Sequence, residues 1–493
     1  MKFYRLPFGK SSLIFITLFI LFVLLFLQQD CATTMQLWHT EKLSEEFTAN
    51  KTDEIKTFAD YVQLEERLFK QLNDKIYSQN KLADKRQFGR YTSASASDFH
   101  NQKMDWNRSF ELMTEKPRGA VLLLHGMSDS PYSLRTLGQT LNEQNYHVVG
   151  LRLPGHGTVP AGLRYINRHD LASVTRLAMT HLADRMAGKP IYIIGYSAGA
   201  TLALEYTLDA LEGKTSPVPA KLVLISPALG VHPLAALAHF KNALANLPGL
   251  DKLAYLQIQP EFDPYKYNSF ATNVGDVVYR LTRSVAKRIR NRADMDTDWV
   301  LPQTLVLKST VDATVTNTAV VDNLLNHLKP NRHELVLFDI NRFAVVRSKL
   351  LIDDPAPFTD KIMQDSTLSF TTTLVTNKHS NTTQVISKTS PAFSNQIVSS
   401  EALKISWPVG VISLSHVALP ISPLDNLYGQ RPPDNEDFLF LGQMAIQGEL
   451  GLLKIPTDWM FRLRYNPFYD FLENKTLNWL QNTDYLQKKP IQN

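Results

Sequence analysis

Between about residue 118 and residue 340 the chain alternates two rhythms. Short, nearly unbroken apolar runs recur as "AVLLLHG" (120–126), "HVVGLRLPGHG" (147–157), "PIYIIGY" (190–196), "KLVLISPA" (221–228), "TLVLKST" (304–310) and "ELVLFDI" (334–340). Runs of this length, rich in Val, Ile and Leu, predict strands buried on both faces. Between them lie amphipathic stretches with helical spacing. "SPYSLRTLGQTLNEQN" (130–145) has Ser130 as a cap and Pro131 at the first helical position, residues 169–187 form a second helix, and a third starts at Ala198. Strands that alternate with helices in this way predict an α/β fold, a mostly parallel, doubly wound sheet covered on both faces.

The flanking and intervening segments depart from that rhythm. Residues 1–30 read as a membrane segment and residues 31–104 as a stalk. The stalk carries a helix, "TFADYVQLEERLFKQLNDKIYSQ", with apolar positions at Phe58, Val62, Leu64, Leu68, Leu72 and Ile76, followed by a small-residue linker, "SASASD" (93–98). The core is expected over 105–229 and 301–340. It is interrupted by a helical cap at 230–300, and a Thr/Ser-rich, β-like insertion at 341–409 precedes a final part, 410–493, that ends in a closing helix, "NPFYDFLENKTLNWL". Internal repeats and low-complexity tracts are not found.

The amino terminus changes the picture of location. "MKFYRLPFGK" carries three positive charges and no negative one, and residues 13–27 are apolar except for Thr17. With Ser11, Ser12 and Gln28 this makes a helix of about 27 Å, close to the thickness of a bilayer core. The basic flank predicts a signal anchor with the rest of the chain on the extracytoplasmic side, periplasmic or extracellular. Cys31, the only cysteine, excludes an intrachain disulfide. Followed by Ala-Thr-Thr it is similar to the start of a bacterial lipoprotein, although Gln28, Gln29 and Asp30 depart from a small-residue lipobox. The composition is otherwise that of a globular protein, 44% hydrophobic and 20% charged, and a net charge of +5 does not suggest a nucleic-acid partner. Six Arg/Lys between Arg280 and Arg292 without an acid read as a solvated helix face, with anionic lipid as the alternative contact.

The candidate chemistry sits where a strand must become a helix. Gly195-Tyr196-Ser197-Ala198-Gly199 matches G-x-S-x-G; a serine on so sharp a turn is strained, and the glycines remove side chains that would collide. A solvated Gly-Ser-Gly turn is the plainer alternative, but the strand before and the helix after favour a nucleophile elbow. A serine nucleophile needs a histidine base and an orienting acid. Asp312, in the loop after "TLVLKST", is placed for the acid, with an Asx turn or helix cap as its other reading; Asp339 lies inside a strand and Asp322 on a helix. The histidines after Asp312 are His327, on a helix, His333, before a strand, His379, in polar "TNKHSNTT", and His416, in "GVISLSHVALP". His416, in an apolar run that ends in a loop, is the candidate base, which makes 341–409 an excursion between the last strand and its histidine loop. The backbone N–H groups of Ala198 and Met127 are the candidate oxyanion donors. His125, at a strand end, and His156, in "LPGHG", read as loop architecture. No metal or cofactor is expected, since HExxH, cysteine pairs and phosphate-binding glycine loops are absent from the sequence.

"LLLHGMSDSPYS", "LRLPGHGT", "GYSAG" and "STVDATV" together resemble the α/β-hydrolase superfamily, in particular its monoacylglycerol lipase/lysophospholipase and carboxylesterase branch. The resemblance covers about 105–340 and the His416 loop. It implies a Ser197–Asp312–His416 triad, oxyanion donors at Met127 and Ala198, and a cap at 230–300. With the amino-terminal segment, the expectation is a membrane-anchored serine hydrolase acting on small-molecule or lipid-like carboxylic esters. The long insertion before His416 and the anchored stalk depart from the family pattern. Peptidase or thioesterase chemistry, a cofactor-free lyase and a non-catalytic envelope scaffold remain the alternative readings on the same fold.

Overall fold

The computed structural model describes residues 34–482, except 52, 81–88, 94, 102–103, 231–240, 242–244, 246–249, 296–299, 313–316, 347–350, 352–353, 434–438 and 447–460. The apolar run 13–27 and Cys31 lie outside the described residues. Among the described residues no helix is long and apolar enough to cross a membrane.

The apolar runs form the expected strands: β1 (Phe110–Leu112), β2 (Gly119–Leu124), β3 (Tyr146–Leu151), β4 (Ile191–Tyr196), β5 (Lys221–Ile225), then β8 (Gln303–Ser309) and β9 (Glu334–Phe338). A small antiparallel pair, β6 (Tyr255–Gln257) with β7 (Phe270–Ala271), lies between β5 and β8 in the chain. Beyond β9 come β10 (Thr371–Asn377), β11 (Gln384–Ser390), β12 (Ser399–Ser406), β13 (Met444–Ile446) and β14 (Phe461–Leu463). One ten-stranded sheet runs β1-β3-β2-β4-β5-β8-β9-β10-β11-β12, parallel from β3 to β10 and antiparallel at both ends. Every residue of β2, β4 and β5 is buried, which is why these strands read as unbroken apolar runs rather than alternating ones.

Alternate residues of each strand serve different faces. Leu122, Ile193, Leu224 and Val306 pack under α3 (Arg168–Met186), α4 (Ala198–Leu211) and α5 (Thr272–Asp294). Val121, Ile194, Val223 and Leu307 pack under α2 (Arg135–Glu143) and α6 (Tyr469–Gln481), the expected closing helix. The sheet is therefore covered on both sides.

Three expectations are corrected. The stalk is part of the core: its helix α1 (Phe58–Leu72) buries Phe58, Tyr61 and Leu64 in the α3-side core and Leu68, Phe69 and Leu72 in a third cluster with Tyr132 and Tyr265. A fully buried Arg152 joins it to the sheet, 2.9 Å from Glu65 and 3.0 Å from Glu46, while the Tyr61 hydroxyl donates to the Arg152 carbonyl. Amphipathic spacing shows that a helix has an apolar face, not what covers it. The "SASASD" linker is likewise packed, with Ser95, Ser97 and Asp98 buried.

Within the expected cap, 272–294 is not a cap helix. It packs on α4 and α3 and takes the place of a sheet-covering helix. Its basic run is partly neutralised, since Arg288 lies 2.8 Å from Asp209 and Arg292 3.1 Å from Glu212, both acids at the end of α4. The 341–409 insertion is the expected excursion between β9 and the His416 loop. Its strands extend the main sheet, β10 pairing parallel with β9, and this covers an edge that β9 would otherwise expose. The segment leaves and rejoins at one point, where the Asn341 N–H donates to the Ile412 carbonyl (2.7 Å) and its side-chain amide to that of Val411 (2.8 Å).

Because Leu64 is buried within the core, Leu64→Ala should lower unfolding stability by about 2–5 kcal/mol in chemical denaturation of the intact chain. A detached stalk would give a change within about 0.5 kcal/mol.

Candidate active site

The sharp turn after β4 is built from close contacts. Ser197 stands at φ 55° and ψ −119°, a backbone conformation that side-chain-bearing residues rarely adopt. Its N–H donates to the Ile225 carbonyl (2.9 Å), and its carbonyl accepts from the Ala228 N–H (3.2 Å), so the exit of β5 holds the turn from both sides. The flanking glycines are required by space. A Cβ on Gly195 would lie 2.5 Å from the Ala200 Cα, and one on Gly199 would lie 2.2 Å from the Leu124 carbonyl oxygen. Neither position admits a side chain while α4 stays pressed on the end of β2.

Three side chains that are far apart in the chain meet here. The Ser197 hydroxyl lies 3.0 Å from His416 Nε2, and His416 Nδ1 lies 3.0 Å from Asp312 Oδ2. This relay is consistent with the tautomer in which Nδ1 carries the proton toward the carboxylate and Nε2 accepts from the serine. His416 opens a short helical turn, 416–418, held by the Asn341–Ile412 junction upstream and by Ser415, whose hydroxyl donates to the Leu463 carbonyl (3.3 Å). Asp312 follows β8 through a turn in which the Ser309 hydroxyl accepts from the Val311 N–H (3.2 Å). Asp339 and His333 are bound elsewhere: Asp339 pairs with Arg342, and His333 bonds the Thr304 N–H and the Lys329 carbonyl. His379, in its polar turn, and His327, on a one-turn helix, take no part in the relay; Asp322 lies on the helix Asn317–Asn323.

Sequence reasoning missed Lys308. Its ammonium, fully buried near the end of β8, lies 2.6 Å from the same Oδ2 of Asp312 that faces His416. Burial by itself would raise the Asp312 pKa, but the adjacent His416 and Lys308 hold the carboxyl well below the usual range. The signal was present in "LVLKSTVD", a lysine four residues before an acid inside a strand, but such a lysine reads equally as a strand end.

The turn after β2 passes directly beside Ser197. A Cβ on Gly126 would lie 3.2 Å from the Ser197 Cβ and 3.1 Å from Asp129 Oδ2. His125 fixes this turn: its Nδ1 donates to the Gly126 carbonyl (2.8 Å) while Nε2 accepts from the Leu153 N–H (3.0 Å). Burial pushes its pKa far down, so it stays neutral in that role. His156 packs edge-on against it at 5.0 Å and is lowered by burial to about 4. Met127, half-buried, follows Gly126, and Ala198 opens α4, where helix amides have no intrahelical acceptor. The Gly126–Met127 turn and the first residue of α4 therefore both adjoin the serine.

Beside the relay opens a cavity of about 430 Å³. Its walls include Tyr196 and Val417, the neighbours of Ser197 and His416, together with Tyr132, Tyr265, Tyr267 and Tyr428. Charged groups line it as well: Asp129, Asp263, Lys266, Arg462 and Arg464. Asp129, whose pKa burial raises, lies 3.6 Å from the Lys266 ammonium.

The pH dependence of stability follows from the depressed Asp312 carboxyl. A group with a lowered folded pKa contributes stability that is full above its unfolded value, about 4, and is lost as pH falls through the folded value. Asp312→Asn, which also leaves the Lys308 ammonium buried without its carboxylate, should cost about 3–5 kcal/mol at pH 7. The gap to the wild type should narrow progressively below about pH 4; denaturant titrations at several pH values measure it.

Residues 115–342 match the family model described as serine aminopeptidase, S33. Among curated proteins, the chain is 35% identical over 109 residues to the magnesium-chelatase 30 kDa subunit of Rhodobacter capsulatus, covering 22% of this chain and 34% of that one. It is 33% identical over 84 residues to the thermostable monoacylglycerol lipase of Bacillus sp. (strain H-257), covering 17% and 33%. The chain thus spans about a third of the length of the curated relatives it matches. Among solved structures, a metagenome-derived lipolytic enzyme aligns at 20% identity with a TM-score of 0.38, over 48% of this chain and 89% of that one. The parallel sheet, the strained serine turn and the match over 115–342 together support an α/β-hydrolase fold for this part of the chain.

Proposed function

We propose that this protein is a serine hydrolase that cleaves carboxylic esters of small molecules. The observation that carries the reading is the unbroken Ser197–His416–Asp312 relay. Ser197 Oγ attacks the acyl carbon as His416 Nε2 takes its proton. The N–H groups of Ala198 and Met127 receive the negative oxygen, and the imidazolium, paired with Asp312, returns the proton to the leaving alcohol. Water, activated by the same histidine, then releases the acid and restores Ser197.

The substrate reading shifts with the cavity. The lipid-like acyl group expected from the sequence rested on the apolar run "PLAALAHFKNALANLPGL", most of which lies outside the described residues. The walls beside the relay are mostly aromatic faces and polar or charged groups, with Val417, Ile421 and Ala445 as the aliphatic minority. This supports short or aromatic acyl esters with a polar leaving group over long alkyl chains. A second reading, an amide with a free amino group, draws on Asp129 and Asp263 in those walls and on the description of the matching family model.

Location is also proposed. The basic flank and the apolar residues 13–27 support an uncleaved anchor that leaves the hydrolase on the extracytoplasmic side, and lipidation at Cys31 would give the same placement.

A fluorophosphonate probe should label the wild type and not Ser197→Ala; equal labelling of both would refute the nucleophile. His416→Ala should lower kcat by roughly 10⁴-fold or more. Nitrophenyl esters from acetyl to palmitoyl, with feruloyl-type esters and aminoacyl anilides alongside, decide the substrate class: kcat/KM should be highest for short or aromatic acyl groups. A maximum at long chains restores the lipid reading, and a preference for anilides the amidase one. Alkaline extraction should leave the full chain in the membrane fraction, and external protease should reach its hydrolase part in spheroplasts.

A further inference from the structure

Across the sheet from the relay, at the amino ends of the parallel strands, three side chains converge that the hydrolase chemistry does not use. Glu111 comes from the edge strand β1, His147 from the start of β3 and His181 from α3. Their candidate ligand atoms all lie within 4.8 Å of one another. His147 Nε2 is 2.6 Å and His181 Nε2 2.9 Å from the same oxygen, Glu111 Oε1. The register explains the meeting: Glu111 opposes Val149, so His147, two residues along β3, lies on the same face, the face α3 covers. His147 is nearly buried, while His181 and Glu111 retain some exposure, which leaves a path from solvent.

Three donors crowd one carboxylate oxygen here. Arg185 Nε lies 3.4 Å from Glu111 Oε1 and 3.2 Å from His181 Nε2, so its N–H is shared between the carboxylate and the ring. A divalent cation replaces this set: both imidazoles and the carboxylate then turn lone pairs on one centre, and the exposed Arg185 side chain withdraws to solvent.

We propose that Glu111, His147 and His181 form a zinc site that ties the edge strand β1 to β3 and α3. Two imidazole nitrogens and one carboxylate oxygen are the donor set of zinc rather than of magnesium or calcium, with water as fourth ligand. Ligand atoms around a tetrahedral zinc stand about 3.3 Å apart, so Glu111 Oε1, now 2.6 Å from His147 Nε2 and 2.9 Å from His181 Nε2, has to move outward by less than about 1 Å from each imidazole. The role is structural. β1 is three residues long, and a metal clamp closes an edge that three residues hold weakly. A search for metal motifs along the chain misses the site, because no two of its ligands share an element and no short spacing links them.

The test uses the purified full chain, stripped with chelator, loaded with zinc, dialysed and analysed for bound metal. Wild type should retain about one zinc per chain and its Tm should rise by several degrees with zinc but not with magnesium or calcium. His147→Ala and His181→Gln should lose both the metal and the shift. Arg185→Gln, which keeps all three ligands and removes a competing cation, should bind zinc several-fold more tightly than wild type. Cobalt substitution of the unmutated protein, giving the intense visible bands of a tetrahedral site, serves even where a histidine variant does not fold. Neither wild type nor Arg185→Gln holding zinc, or both histidine variants retaining it, would overturn the site.

Discussion

The site depends on a helix pressed so closely against the sheet that the serine between them is forced into a positive-φ turn. α4 starts within van der Waals contact of the β2 carbonyls, which leaves no room for a Cβ at Gly199 and none at Gly195. Strain of this kind persists only where the surroundings over-determine it. Here β5 does so, taking the Ser197 N–H at Ile225 and donating to its carbonyl from Ala228. The fully buried strands on either side give that frame its rigidity. From it follow the placement of Ser197 at the head of α4 and the neighbouring Gly126 turn.

Around this frame, buried charge sets geometry at a distance. Arg152 gathers Glu46 and Glu65 from the amino-terminal segment onto the loop after β3, and Lys308 shares one carboxylate oxygen with His416. Each arrangement exchanges hydration for fixed partners, which makes the loss of one partner far more disruptive than the pair is stabilising. At Asp312 the second cation keeps the carboxyl ionised and holds it where the histidine meets it. The same logic explains why the described segment that carries Glu46 and Glu65 is structural: these carboxylates are committed inside the domain.

The sheet extension has a related consequence. By adding β10 to β12 after β9, the chain covers an open edge, then returns to the point it left, and delivers His416 through the Asn341–Ile412 junction. A long insertion ahead of the histidine is therefore compatible with a well-placed imidazole, since both ends of the insertion are anchored at one strand terminus.

The sequence by itself determined the parallel core and the serine turn. Buried parallel strands need unbroken apolar runs, and the turn at Ser197 needs small residues at Gly195 and Gly199; both requirements are local and leave a readable pattern. Asp312 was legible from its place after β8, whereas His416 could be chosen only by setting the other histidines aside. What covers the apolar face of Phe58–Leu72, which sheet the Thr-rich strands join, that 272–294 covers the sheet instead of capping it, and that Lys308 reaches Asp312 were decided by tertiary structure alone. So was the meeting of Glu111, His147 and His181. These depend on contacts between residues tens to hundreds of positions apart, and periodicity records that a surface is apolar or charged without recording its partner.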